Sequence, residues 1–170
     1  MRAFESSEMR AAALDGFYTG QVWQTHRTAA NATIADSDNV LQLRPVAGDA
    51  LRDARPPAGA RDIPETMIVA TTYFLQPGVD ADFAVFFARD VAPRIPSPFA
   101  TFATEHAPNS YPRLPVRGDT VFLTLTRFEN ARAYAAAPPL APSLETEIAR
   151  RTIASTQILR LQPTARSALR

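Results

Sequence analysis

The 170-residue sequence contains no cysteine and no lysine, only one tryptophan and two histidines, and no apolar run approaching the ~20 residues of a membrane span. Without cysteine there are no disulfides, no thiolate nucleophile, no zinc ribbon and no iron–sulfur ligation. Without lysine, all 18 positive side chains are arginine, set against 17 acids for a net charge of +1. That balance leaves little counterion release to drive nucleic-acid binding, so no nucleic-acid partner is expected. An all-arginine cation set suits bidentate anion recognition, but the chain is equally rich in Ala and Pro, and compositional bias explains it as well. The N-terminus, Met1-Arg2-Ala3-Phe4-Glu5-Ser6-Ser7-Glu8, lacks the apolar core of a secretion signal, and the chain reads as soluble and cytoplasmic.

What is present is ordinary globular composition: 46% hydrophobic, 21% charged, with six Gly and fifteen Pro. From Ala47 to Glu65 the chain is dominated by Ala, Arg, Asp, Pro and Gly without a hydrophobic period and reads as a linker. Beyond it the elements follow in clear order. Met67 to Leu75 is β-branched and aromatic and stops at Gln76-Pro77-Gly78, a strand ended by a turn. Val79, Phe83, Phe86, Phe87 and Val91 then recur at helical spacing up to Pro93, with Asp80 as the cap, and this phenylalanine stripe reads as core. Strands are expected at 99–105 and 120–128, separated by a Pro-rich loop from His106 to Asp119. A weaker helical stretch broken near Pro138-Pro139 and Pro142 resumes from Leu144 to Ile153, and a last strand runs from Gln157 to Gln162. The order β-α-β-β-α-β is the split-βαβ pattern of a ferredoxin-like α+β domain, here 66–165, with residues 166–170 as a tail. Two helices would cover one face of its antiparallel sheet, and the other face would seek a second sheet.

The first 45 residues repeat the end of that domain at an offset of about 120 residues. Phe4-Glu5 matches Phe128-Glu129, Thr33-Ile34-Ala35 matches Thr152-Ile153-Ala154, and the run from Val40 to Pro45 matches that from Ile158 to Pro163. Residues 1–46 therefore read as the terminal α-β half of a second ferredoxin-like unit. The repeat used as a ruler predicts roughly 60 residues upstream of Met1. The alternative is that the orphan strand at Val40 to Val46 completes a sheet in trans or lies at an edge.

Three segments resemble the NIPSNAP family of the dimeric α/β-barrel superfamily: Phe17-Tyr18-Thr19-Gly20-Gln21-Val22-Trp23 with His26-Arg27; Asp36-Ser37-Asp38-Asn39-Val40-Leu41 to Pro45; and Pro108-Asn109-Ser110-Tyr111-Pro112-Arg113-Leu114-Pro115-Val116-Arg117. Gln21 stands where relatives often carry Pro after Gly. The resemblance implies two ferredoxin-like units packed sheet on sheet. Eukaryotic members are associated with mitochondria, vesicle traffic and mitophagy signalling. Bacterial tandem-domain members, which this chain looks like, mostly lack an assigned activity, so no catalytic residue is carried over. Superfamily cousins include cofactor-independent monooxygenases and haem-degrading enzymes.

Among the residues themselves, the 106–119 loop brings Tyr111, Arg113 and Arg117 together, two guanidiniums and a phenol suited to a carboxylate or phosphate. A Pro-braced crossover whose arginines pair with Glu105 or Asp119 is the plainer alternative. Trp23 and His26 lie three apart on one helix and share a side, able to line a pocket or to pack as an amphipathic face. His106 and His26 lack ligand-spaced company, so no metal is expected, and no cofactor is assigned. Asp36-Ser37-Asp38-Asn39 reads as a polar turn before a strand. The sequence thus points to a self-associating binding or interaction module for a small anionic or apolar ligand. A cofactor-independent oxygenase with His26 or His106 as proton shuttle, beside Trp23 or Tyr111, is the second reading.

Overall fold

A computed structural model describes residues 1–48 and 55–169. Positions 49–54 of the expected linker and the last tail residue lie outside the described residues. Two compact units divide the chain: residues 1–42 with 105–118, and residues 43–104 with 119–170.

The first unit contains α1 (Ser7–Thr19) and α2 (Gln21–Asn31). Ser6 opens α1 as its cap, its Oγ accepting from the N–H of Met9 at 3.2 Å. Gly20 separates the helices in extended conformation, and a Cβ there would lie 2.7 Å from the Gly16 carbonyl oxygen, so the tight corner requires its missing side chain. The Asp36–Asn39 segment is the expected polar turn, with the N–H of Asp38 donating to Asp36 Oδ1 at 2.8 Å.

The second unit is α+β. Its strands are β1 (Leu43–Gly48), β2 (Met67–Phe74), β3 (Pro98–Thr104), β4 (Val121–Phe128) and β5 (Gln157–Leu161). They form one antiparallel sheet in the order β1-β3-β4-β2-β5, an arrangement compatible with the ferredoxin-like class. The helices are α3 (Asp80–Phe86), α4 (Ala131–Ala135) and α5 (Pro142–Ala149). The strand expected from Val40 begins at Leu43 and occupies a sheet edge against β3. It ends at Gly48, which takes a φ of +85° beside Phe99, whose carbonyl a Cβ would strike.

One sheet face is covered as the spacing of the phenylalanines requires. Phe83, Phe86, Phe87 and Val91 join Ile148 of α5 over Tyr73, Ala103 and Phe122. The expected single helix to Pro93 changes character on the way: Phe87–Val91 is π-helical and Ala92–Arg94 is 3₁₀. Phe86 and Phe87, three and four residues beyond Phe83, are both buried, as is Val91 at the end of the π turn. The opposite face carries Ile68, Ala70, Ala100, Phe102, Leu123 and Leu125. Its centre is buried rather than open, and Leu169 of the expected tail packs against it.

Candidate functional site

The first unit gathers aromatic rings at the corner between α1 and α2. Along α1 the inward positions are Arg10, Ala11, Leu14 and Tyr18, a stripe at helical spacing with Leu14 fully buried. At its end Phe17, Tyr18 and Trp23 touch one another, with ring centroids 5.0 to 5.3 Å apart. Tyr18 also stacks on Tyr111 at 6.1 Å, with an interplanar angle of 16°.

Tyr111 stands on the 105–118 loop, which its own side chains and two chain contacts hold rigid. Asn109 Oδ1 accepts from the N–H of Tyr111 at 3.0 Å, and its Nδ2 donates to the Leu114 carbonyl at 2.7 Å. Arg10 Nη1 reaches from α1 to donate to Asn109 Oδ1 at 2.9 Å and Ser110 Oγ at 3.0 Å. At the loop ends the N–H of Glu105 donates to the Gln42 carbonyl, and that of Arg117 to the Val40 carbonyl. Gln42 Nε2 adds a bond to the Ala107 carbonyl at 3.0 Å.

Within this frame Tyr111 is 7% exposed, and its hydroxyl is buried with no hydrogen-bond partner among the described residues. Gln42 Oε1 is a second buried acceptor in the same unit without a partner. A buried hydroxyl left unmatched costs about 1–3 kcal/mol, so the arrangement tolerates a polar group that its own fold does not use. Chemically the corner offers flat aromatic walls, one phenolic donor and, at Arg10, a guanidinium fixed by two neutral acceptors.

The residues singled out by sequence separate. Tyr111 and Trp23 both contact Tyr18 and belong to one cluster. His26 and Arg113 are exposed, and His106 is exposed at the start of the loop. Arg117 is half-buried and donates from Nη1 to Asn39 Oδ1 at 3.0 Å. Tyr18, Arg10, Asn109 and Gln42 were not among the expected site residues. The stripe Arg10-Leu14-Tyr18 was the available signal for two of them.

The second unit has a surface groove of about 340 Å³ on α3, lined by Val79, Asp82, Val85, Phe86, Arg89 and Arg151. The Arg151 guanidinium lies 4.3 Å from the Phe86 ring centroid. Its Nη1 also meets Glu147 Oε2 at 2.7 Å, and this bond holds the Glu147 carboxyl below its usual range. Arg89 pairs with Asp90 at 2.6 Å in the same way. Both guanidiniums are thus matched within the fold, and the groove offers no donor comparable to Tyr111.

Among the described residues no group of three or more His, Asp or Glu is placed to hold a metal ion, and no helix is long and apolar enough to cross a membrane. No protein-family model, curated protein or solved structure matches the chain.

Proposed function

We propose that this chain is a NIPSNAP-like binding protein of the dimeric α/β-barrel type, whose first unit takes a small aromatic ligand bearing a hydrogen-bond acceptor. The observation that carries this reading is the buried, unpartnered Tyr111 hydroxyl beside the Tyr18 ring. A carboxylate or carbonyl oxygen would accept from it, and a flat ring would lie against Tyr18 and Trp23. The internal repeat and the resembling segments support the family reading. No observation favours the oxygenase reading, since both imidazoles are exposed.

Trp23 is the only tryptophan and sits in the cluster, so its emission reports on this corner alone. Benzoate, the simplest aromatic carboxylate, is expected to change that emission saturably. Tyr111→Phe keeps the ring and removes the donor, and should weaken benzoate binding about tenfold, the size of one lost hydrogen bond of ~1.4 kcal/mol. The variant should fold at least as stably as the parent, because the unmatched hydroxyl is gone. Unchanged benzoate affinity in Tyr111→Phe, or no saturable response in the parent chain, rejects the reading.

A further inference from the structure

The arginines near the helices differ in what neutralises them. Arg89 meets Asp90, and Arg150 and Arg151 both meet Glu147, so each finds its acid a few residues away. Arg10, half-buried on α1, has no such neighbour: the positions one turn from it are Ser6, Ser7, Ala13 and Leu14. Its Nη1 is taken by two neutral oxygens, Asn109 Oδ1 and Ser110 Oγ, while its Nε and Nη2 have no partner among the described residues. Of the six acids in this unit, Glu5, Glu8, Asp15, Asp36 and Asp38 are exposed, and the half-buried Glu105 accepts at Oε1 from the N–H of Ala107 at 2.9 Å. The Nε–Nη2 edge is the one that grips a carboxylate side-on. Arg89 uses it on Asp90, with Nε at 2.9 Å and Nη2 at 2.6 Å. In Arg10 the same edge is unused, on a guanidinium that is held in place and partly desolvated without a counter-charge, a cost that a bound anion offsets.

Arg10 also belongs to the aromatic corner. Asn109 Oδ1, which accepts from Arg10, accepts from the N–H of Tyr111 as well, so one oxygen joins the guanidinium to the residue whose ring stacks on Tyr18. Arg10 and Tyr18 share the inward stripe of α1, about two turns apart. We propose that Arg10 makes this site selective for anions, so that its ligand is an aromatic carboxylate and the neutral amides and esters of such acids bind poorly. The inference rests on the ligand reading at Tyr111 and narrows it from any oxygen acceptor to a charged one. The Tyr111 hydroxyl cannot make that distinction, because it donates to a carboxylate or to a neutral carbonyl oxygen alike. A fixed positive charge makes it without needing contact: across a partly buried site, attraction between unit charges is still worth on the order of tenfold in affinity at about 8 Å.

The test compares benzoate, ionised at neutral pH, with benzamide, which keeps the ring and a carbonyl oxygen but carries no charge, both read by Trp23 emission. The parent chain should bind benzoate about tenfold more tightly than benzamide, or better. Arg10→Gln should bring the two affinities within about twofold of each other, and Arg10→Lys, which keeps the charge and loses the fork, should retain part of the preference. If Arg10 only braced the loop, its loss would weaken both ligands alike and leave their ratio unchanged. Tyr111→Phe checks the site separately, since its hydroxyl serves either oxygen and its removal should weaken both ligands by similar factors. Equal affinities in the parent chain, a measurement that needs no variant, or a preference that survives in a folded Arg10→Gln would overturn the anion proposal and leave the Tyr111 site standing. A parent chain that binds neither ligand removes both.

Discussion

Phe83→Ala is expected to lower the free energy of unfolding by roughly 3–5 kcal/mol. Phe83 has no exposed surface, and its ring meets four others, Tyr73 at 5.3 Å, Phe122 at 5.4 Å, Phe86 at 5.9 Å and Phe87 at 6.4 Å. Truncation removes the transfer energy of the ring and leaves a cavity whose walls come from β2, β4 and the helix itself, none free to close in. Set against the 5–15 kcal/mol by which domains are ordinarily stable, the loss approaches unfolding. Val85, two residues along the same helix and 64% exposed, is the control, and Val85→Ala should cost no more than about 0.5 kcal/mol. Urea titration with an unchanged slope measures both. A loss below about 1 kcal/mol for Phe83→Ala would mean that the helix does not seat on the sheet through this ring.

The second large effect is alkaline. Burial pushes the Tyr73 phenol up to about 12, because the phenolate would have to form in the aromatic core without water. Unfolding returns it to the ordinary value near 10. Between these values the folded chain holds a proton that the unfolded chain has lost, so stability falls as pH rises. The contribution is intact below pH 10 and gone by about pH 12, and two units correspond to roughly 2.7 kcal/mol. The composition makes this readable: with no lysine or cysteine, tyrosines are the only side chains whose ordinary values fall between pH 9 and 12. Tyr73→Phe should flatten the decline between pH 9 and 11.5 measured by urea midpoint. A variant that declines as steeply as the parent would assign the effect elsewhere.

Where the sequence carried local chemistry, the structure followed it closely. The strands at 67–74, 121–128 and 157–161 sit within a residue or two of the runs read from alternation and turn signals. Gly78 takes the positive φ that Gln76-Pro77-Gly78 announces. The weak helix divides at its prolines, with Pro142 opening α5, where a missing N–H costs nothing. The π turn was not legible, since Phe83, Phe86, Phe87 and Val91 fit an α-helix equally well and only the sheet beneath decides between them. The late start of β1 has a tertiary cause too: the carbonyls of Val40 and Gln42 are taken by the N–H groups of Arg117 and Glu105, outside the sheet ladder. Of the candidate site, Tyr111 and Trp23 were legible as types worth watching. The bond from Arg10 to Asn109 joins residues far apart in the chain, and no local pattern announces such a meeting.

The strand order also has a consequence for how the chain reaches its native state. β3 and β4 are the sheet neighbours closest together in sequence; Met67 must find Phe128, Leu43 must find Thr104, and Ile68 must find Leu161. Each of these closures spends loop entropy before any ladder bond repays it, which places the second unit among the slow folders, on the order of milliseconds to seconds. The short β3–β4 closure is the one expected to form first, and β5, which pairs only with β2 within the sheet, can add only once β2 is in place. During synthesis, β2 therefore waits for β4 with both of its ladders open.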